Sequence, residues 1–192
     1  HGMVDRELRL SFDDLLDMPL RERYVTLTCV SNEVGGRYAG NARWLGVPIA
    51  DVLRRAGLQR GADQLVSRSA DGWTSGTPVA AVTDGRDALL AVGMNGETLP
   101  QSHGFPVRMV VPGLYGYVSA TKWIVDLELT TFDAYDPYWV KRGYAAQADL
   151  HHAGMVALIL GLLDHVHPPG EQRDDQDEGA WGDPPEPVIV HV

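Results

Sequence analysis

LLAVGMNGETLPQSHGFPVRMVVPGLYG, residues 89–116, carries the reading of the fold. Its apolar runs at 89–92 and 107–111 are too short for helices and suit buried strands. Between them Asn95-Gly96 is the strongest two-residue hairpin signal in the chain, because both central positions of the favoured turn need positive φ. Working outward, residues 123–129 (WIVDLEL) and 24–30 (YVTLTCV) alternate apolar and polar as half-buried strands do. Residues 64–68 read as another short strand before the turn 70–73, and 77–84 as a strand-and-helix passage. Two helices carry end signals. One is capped by Ser11, has acids in its first turn and is stopped by Pro19. The other, 48–56 (PIADVLRRA), has apolar residues at helical spacing and stops at Gly57. Residues 31–41 read as a polar, Gly-rich loop. Short strands and a few short helices without a βαβ rhythm predict an α+β fold with mixed sheets rather than a doubly wound one.

The composition agrees. The 192 residues are 44% hydrophobic, enough for one core, and 21 Gly with 12 Pro favour many turns over a helical bundle. The net charge of −10 is uneven: from Asp164 onward eight acids face one base, Arg173. No basic excess exists to neutralise phosphates, so nucleic acid is not an expected partner. The longest apolar run, 155–163, falls far short of the roughly 20 residues that span a bilayer. From about residue 149 the texture shifts to an acidic, Pro-rich composition. Two parts are therefore expected: a domain over residues 1–148, incomplete at its N-terminus, and a divergent or partly disordered tail over 149–192.

The single cysteine, Cys29, excludes a disulfide framework and multi-Cys metal sites. A lone cysteine is most often a small buried hydrophobe, but Cys29 ends a strand and precedes a Gly-rich loop, where a thiolate could meet a soft metal. Two further segments suit an anion. In HGFPVR, His103 and Arg108 lie across a Pro turn, and Arg is the residue for bidentate phosphate or carboxylate contacts, unless it is simply a solvated surface Arg. The loop 111–123 exposes backbone N–H groups and ends in a lysine, Lys122, although it lacks the GxxxxGK[ST] spacing and also reads as an ordinary tight loop. His151, His152, His165 and His167 have no carboxylate or cysteine at metal-site spacing. Hydrolase motifs such as G-x-S-x-G and HExxH are absent from the sequence.

Taken in order, TLTCVSN (26–32), GNARWLGVPIADVLRRAG (40–57), SADGW (69–73), the segment 89–116 and the KWI at Lys122 resemble the sulfite oxidase family of molybdopterin-binding oxidoreductases over roughly residues 2–146. The resemblance implies Mo-molybdopterin as cofactor, with Cys29 as the protein's catalytic metal ligand. It implies cofactor contacts at Asp71, His103, Arg108 and the stretch Ala120, Thr121 and Lys122. It further implies oxygen-atom transfer between the metal and a small oxyanion or S-oxide, followed by electron exchange with a cytochrome or quinone-linked haem protein. An extracytoplasmic location in a bacterium is expected for the parent, and a monomer.

Two departures bear on substrate and activity. Sulfite oxidases place two arginines directly after Cys-x-x-Asn, where this chain has Glu33 and Val34. Losing cations and adding a carboxylate there disfavours sulfite, unless Arg37 or Arg43 folds back. The family's domain also has cofactor-contacting residues before the point where this sequence begins. The alternative class is a non-catalytic binding module, or an inactive fragment, of the same fold.

Overall fold

The computed structural model describes residues 1–33, 35–148 and 190–191. The chain runs β1 (Arg9–Leu10), α1 (Phe12–Leu16), β2 (Arg21–Thr28), β3 (Ala39–Pro48), α2 (Ile49–Ala56), β4 (Gln64–Ser69), β5 (Thr74–Pro78) and α3 (Val79–Thr83). It continues through β6 (Leu89–Met94), β7 (Glu97–Thr98), β8 (Arg108–Val110) and β9 (Ile124–Thr130) to β10 (Val190–His191). This is the α+β architecture that the sequence predicts. Among the described residues no helix is long and apolar enough to cross a membrane.

Local chemistry explains the elements. Ser11 and Asp14 form a reciprocal capping box at α1, Ser11 Oγ accepting from Asp14 N–H and Asp14 Oδ2 from Ser11 N–H. In α2 the buried residues Ile49, Val52, Leu53 and Ala56 follow one helical face, and Gly57 closes it at φ +76°. Asn95 and Gly96, at φ +55° and +90°, turn β6 into β7.

Two sheets result. One has the order β1-β10-β9-β4-β5, and the other β2-β3-β6-β7, with β8 paired to β6. Strand β6 is buried on both faces and separates two apolar clusters. Leu90 and Val92 enter the main core with Leu53, Leu65, Met109 and Leu127. Leu89 and Ala91 enter a smaller cluster with Val25, Trp44 and Val110. The same alternation along β8 sends Met109 to the main core and leaves Arg108 on the Trp44 side.

Strand β3 is not anticipated by the sequence reading, which has a loop to residue 41 and a helix from 48. It is central in its sheet, between β2 and β6, with a bulge between Leu45 and Gly46. A Cβ on Gly46 would stand 2.3 Å from Leu90 O, so this glycine permits a close strand approach rather than marking a loop. Strand β2 starts earlier than expected, at Arg21, and stops at Thr28, one residue before Cys29. Val34, the boundary placed at 149, the acidic stretch and the four C-terminal histidines lie outside the described residues. Of residues 149–192 the structure describes Val190–His191, which sit between β1 and β9 with Val190 buried.

Candidate functional site

Cys29 leaves the end of β2 into a loop with closed ends. Its N–H donates to Tyr38 O (2.8 Å), and its carbonyl accepts from Asn32 N–H (3.0 Å). Asn32 Oδ1 in turn accepts from Tyr38 N–H (2.7 Å). The thiol is exposed, so the buried-hydrophobe reading of a lone cysteine does not hold.

Across from it stands a buried cation. Arg108 is only 6% exposed, yet no carboxylate pairs with it among the described residues. Its Nη1 donates to His103 O (2.8 Å) and its Nη2 to Ala120 O (3.3 Å). The guanidinium lies 4.9 Å from the Trp44 ring centroid, and Nε has no partner. Burial pushes its pKa down to about 10. Lys122 donates from Nζ to Ser102 O (3.0 Å), 4.2 Å from the Trp123 ring centroid. Burial first, then Arg108, holds it below the ordinary lysine value, with Asp71 acting the other way. His103 is lowered by burial, then by Arg108 and Lys122, so the three groups share one positive field.

Cys29, Arg108 and Lys122 border a cavity of about 470 Å³, within the range of small-molecule and cofactor sites. It lies where the two sheets meet. The end of β2, with Cys29, and Arg108 of β8 come from one sheet; Ser69, Asp71 and Trp73, at the β4–β5 turn, come from the other. Asp71 Oδ1 accepts from Trp73 N–H (3.0 Å), fixing that turn. Of the sequence-derived candidates, Cys29, Asp71, Arg108, Ala120 and Lys122 line the cavity, while His103 and Thr121 do not. The His103 carbonyl holds Arg108. Thr121 turns its hydroxyl away, to Ser67 Oγ (2.5 Å) and Ser75 Oγ (2.9 Å), which are 2.9 Å from each other. All three side chains are fully buried, and this ring ties the Ala120–Lys122 stretch to β4 and β5.

The sequence reading assigns no aromatic residue to the site, whereas Tyr38, Trp73, Tyr117, Trp123 and Trp139 all line the cavity. The signal was available for Trp73, inside SADGW, and for Trp139, in the segment 138–144 (YWVKRGY), but an aromatic residue reads first as core. Neither Arg37 nor Arg43 lines the cavity, and Arg43 is engaged by Glu22 at 3.3 Å.

The arrangement fits an anionic group carrying a soft metal. Two cations lack carboxylate partners among the described residues, and each of two lining residues, Arg108 and Ser69, carries a buried polar atom without a partner, Nε and Oγ. Each such atom costs about 1–3 kcal/mol when left unpaired. The exposed thiol supplies a soft donor at the other side. Fold and site together thus define a domain for holding an anionic, metal-bearing prosthetic group.

The sequence profile of the oxidoreductase molybdopterin binding domain matches residues 1–139, and the chain belongs to that family. Its cofactor is Mo-molybdopterin, and its class is the molybdenum-cofactor-dependent oxidoreductases of sulfite-oxidase-like type. The uncharacterized oxidoreductase YuiH of Bacillus subtilis (strain 168) is 33% identical over 149 residues, covering 78% of this chain and 72% of that protein. Mitochondrial sulfite oxidase of Rattus norvegicus is 35% identical over 162 residues, 72% of this chain and 29% of that one. NADH nitrate reductase of Spinacia oleracea is 33% identical over 73% of this chain and 18% of its own. Among solved structures, the sulfane dehydrogenase SoxCD from Paracoccus pantotrophus superposes with a TM-score of 0.60 at 29% identity, covering 67% of this chain and 36% of that chain. The chain therefore spans 72% of YuiH but only 29% of the sulfite oxidase.

Proposed function

We propose that this domain performs two-electron oxygen-atom transfer, with Cys29 Sγ as the protein's ligand to molybdenum, on a small oxyanion or S-oxide other than sulfite. The observation that carries the reading is the shared cavity of the exposed Cys29 thiol and the buried, partly unsatisfied Arg108. When bound, Mo-molybdopterin supplies the metal centre that exchanges an oxygen atom and two electrons with the substrate.

This chain's own residues bind and orient. Arg108 and Lys122 would neutralise the cofactor's phosphate, Arg108 as a buried guanidinium in the cavity wall and Lys122 as a point charge. Asp71 would offer an acceptor to the pterin from the β4–β5 turn. The loop closed by Asn32 presents the Cys29 thiolate from the opposite wall.

For the substrate, the charge beside Cys29 decides. Arg43 is held by Glu22, and neither Glu33 nor Arg37 lines the cavity, so the loop after Cys29 puts no cation into it. A doubly charged oxyanion therefore meets less positive potential than two arginines after Asn32 would give it. A neutral S-oxide or a singly charged oxyanion suits this entrance better. Electrons are exchanged one at a time with a cytochrome or quinone-linked haem protein, and the parent protein works on the extracytoplasmic side of a bacterial membrane.

The test is elemental and pterin analysis of the chain expressed in a host that makes the cofactor. About one molybdenum and one pterin per chain, with molybdenum and turnover lost in Cys29→Ser while the fold is retained, is the expected result. Turnover retained in Cys29→Ser would sink the ligand assignment. A folded chain that never loads molybdenum or pterin would instead favour the non-catalytic module.

A further inference from the structure

Trp123 has a backbone φ of +52°, a conformation that a bulky side chain rarely adopts. It lies immediately before β9, beside a register shift in which Ile124 pairs with Ser69 and Asp126 with Arg68, leaving Val125 as the extra residue. In an extended strand the side chains of Lys122 and Trp123 would point to opposite faces. With the left-handed residue between Lys122 and the strand, both side chains line the cavity instead.

The conformation is tied from several directions. Trp123 O accepts from Ala70 N–H (2.9 Å), and Trp123 N–H donates to Gly104 O (3.3 Å). The indole Nε1–H donates to Gln101 O (2.8 Å). Its ring lies 4.2 Å from Lys122 Nζ, which is also held by Ser102 O. Gly104 allows the close fit of this corner, since a Cβ there would come within 2.9 Å of Lys122 Cβ. One residue thus joins the turn at 70–73, the turn at 101–104 and the lysine of the anion site. Strain persisting at a ligand site where the surroundings over-determine it points to a positioning role.

We propose that Trp123 is a positioning residue for Lys122: its left-handed backbone and its indole face hold the ammonium aimed into the cavity before the anionic ligand arrives. A flexible lysine loses rotamer freedom on binding, and the indole removes that loss in advance. The inference rests on the anion-cradle reading of the site given above.

The experiment titrates the cofactor-free full chain with inorganic phosphate, followed by the amide NMR signals of residues 120–122, with molybdenum per chain measured in parallel. Trp123→Ala is expected to weaken phosphate binding about tenfold, and Trp123→Phe, which keeps a ring under the ammonium, less than threefold. Lys122→Met is expected to weaken it by at least as much as Trp123→Ala. In the Lys122→Met background Trp123→Ala should add nothing, because its effect runs through the lysine. If Trp123→Ala does not fold, Trp123→Leu takes its place, with apolar bulk but no π face and the same expected loss. Equal losses with and without Lys122, or a folded Trp123→Ala with unchanged affinity, overturn the inference alone. A parent chain that binds no phosphate overturns the anion-cradle reading and the inference with it.

Discussion

Replacing Arg108 with Met separates what this residue costs the fold from what it does for the ligand. The guanidinium is 6% exposed and has a pKa lowered by burial to about 10. Keeping it charged at neutral pH therefore costs the cofactor-free protein about 3 kcal/mol, at about 1.4 kcal/mol for each tenfold change in proton affinity. Against that stand two hydrogen bonds, to His103 O and Ala120 O, and the face of Trp44. A bond from a charged donor contributes about 1.5–3 kcal/mol and the cation–π contact about 1; the 3.3 Å bond belongs at the weak end. The opposing contributions leave the charged residue net favourable by about 1–2.5 kcal/mol, and Met restores most of the volume. Urea unfolding of the cofactor-free Arg108→Met chain should thus give a stability within about 2.5 kcal/mol of the parent, short of the 3–5 kcal/mol typical of breaking a buried ion pair. Pterin per folded chain should fall at least tenfold. A loss above about 3 kcal/mol with pterin retained in the folded fraction would refute the reasoning, since Arg108 would then be a structural residue.

Thr121→Val keeps the shape but removes the hydroxyl that bridges Ser67 and Ser75, and should cost about 1–3 kcal/mol in a thermal melt; a change under about 0.5 kcal/mol would mean the ring carries little. Asn32→Leu removes the acceptor of Tyr38 N–H and should speed amide exchange at residue 38 about tenfold, the equivalent of about 1.4 kcal/mol, with Asn32→Asp restoring protection; unchanged exchange would contradict the clamp. The lowered pKa of His103 fixes the sign of a pH effect. As pH falls through the ordinary histidine range the unfolded chain takes up its proton first, so cofactor-free stability declines there and levels off once the folded ring is protonated. His103→Gln should remove that step from urea midpoints, and an unaltered step would assign it to another group.

Features with short-range causes are the ones a sequence states openly. The capping box at Ser11, the stop at Gly57 and the turn at Asn95-Gly96 each follow from a few adjacent residues, and each stands where those residues put it. Strand β3 was hidden because Gly40, Asn41 and Gly46 carry loop chemistry, while the reason for Gly46 is a strand 44 positions away in sequence, at Leu90. The site divides in the same way. Cys29, Asp71, Arg108 and Lys122 belong to ordered motifs, so resemblance locates them. The placement of Lys122 and Trp123 depends on one left-handed residue beside a register shift, which no local pattern of a single sequence announces.

The cavity takes one wall from each sheet and leaves polar atoms of both, Arg108 Nε and Ser69 Oγ, without partners. A ligand held by both walls acts as a fastener between the two halves, and its binding energy adds to the folding energy of the whole chain. On the function proposed above, cofactor supply is expected to set abundance as well as turnover. In a cell short of the cofactor, empty chains would open more often and be cleared by proteases faster, so that scarcity of the metal would be recorded as missing protein rather than as a stock of idle enzyme.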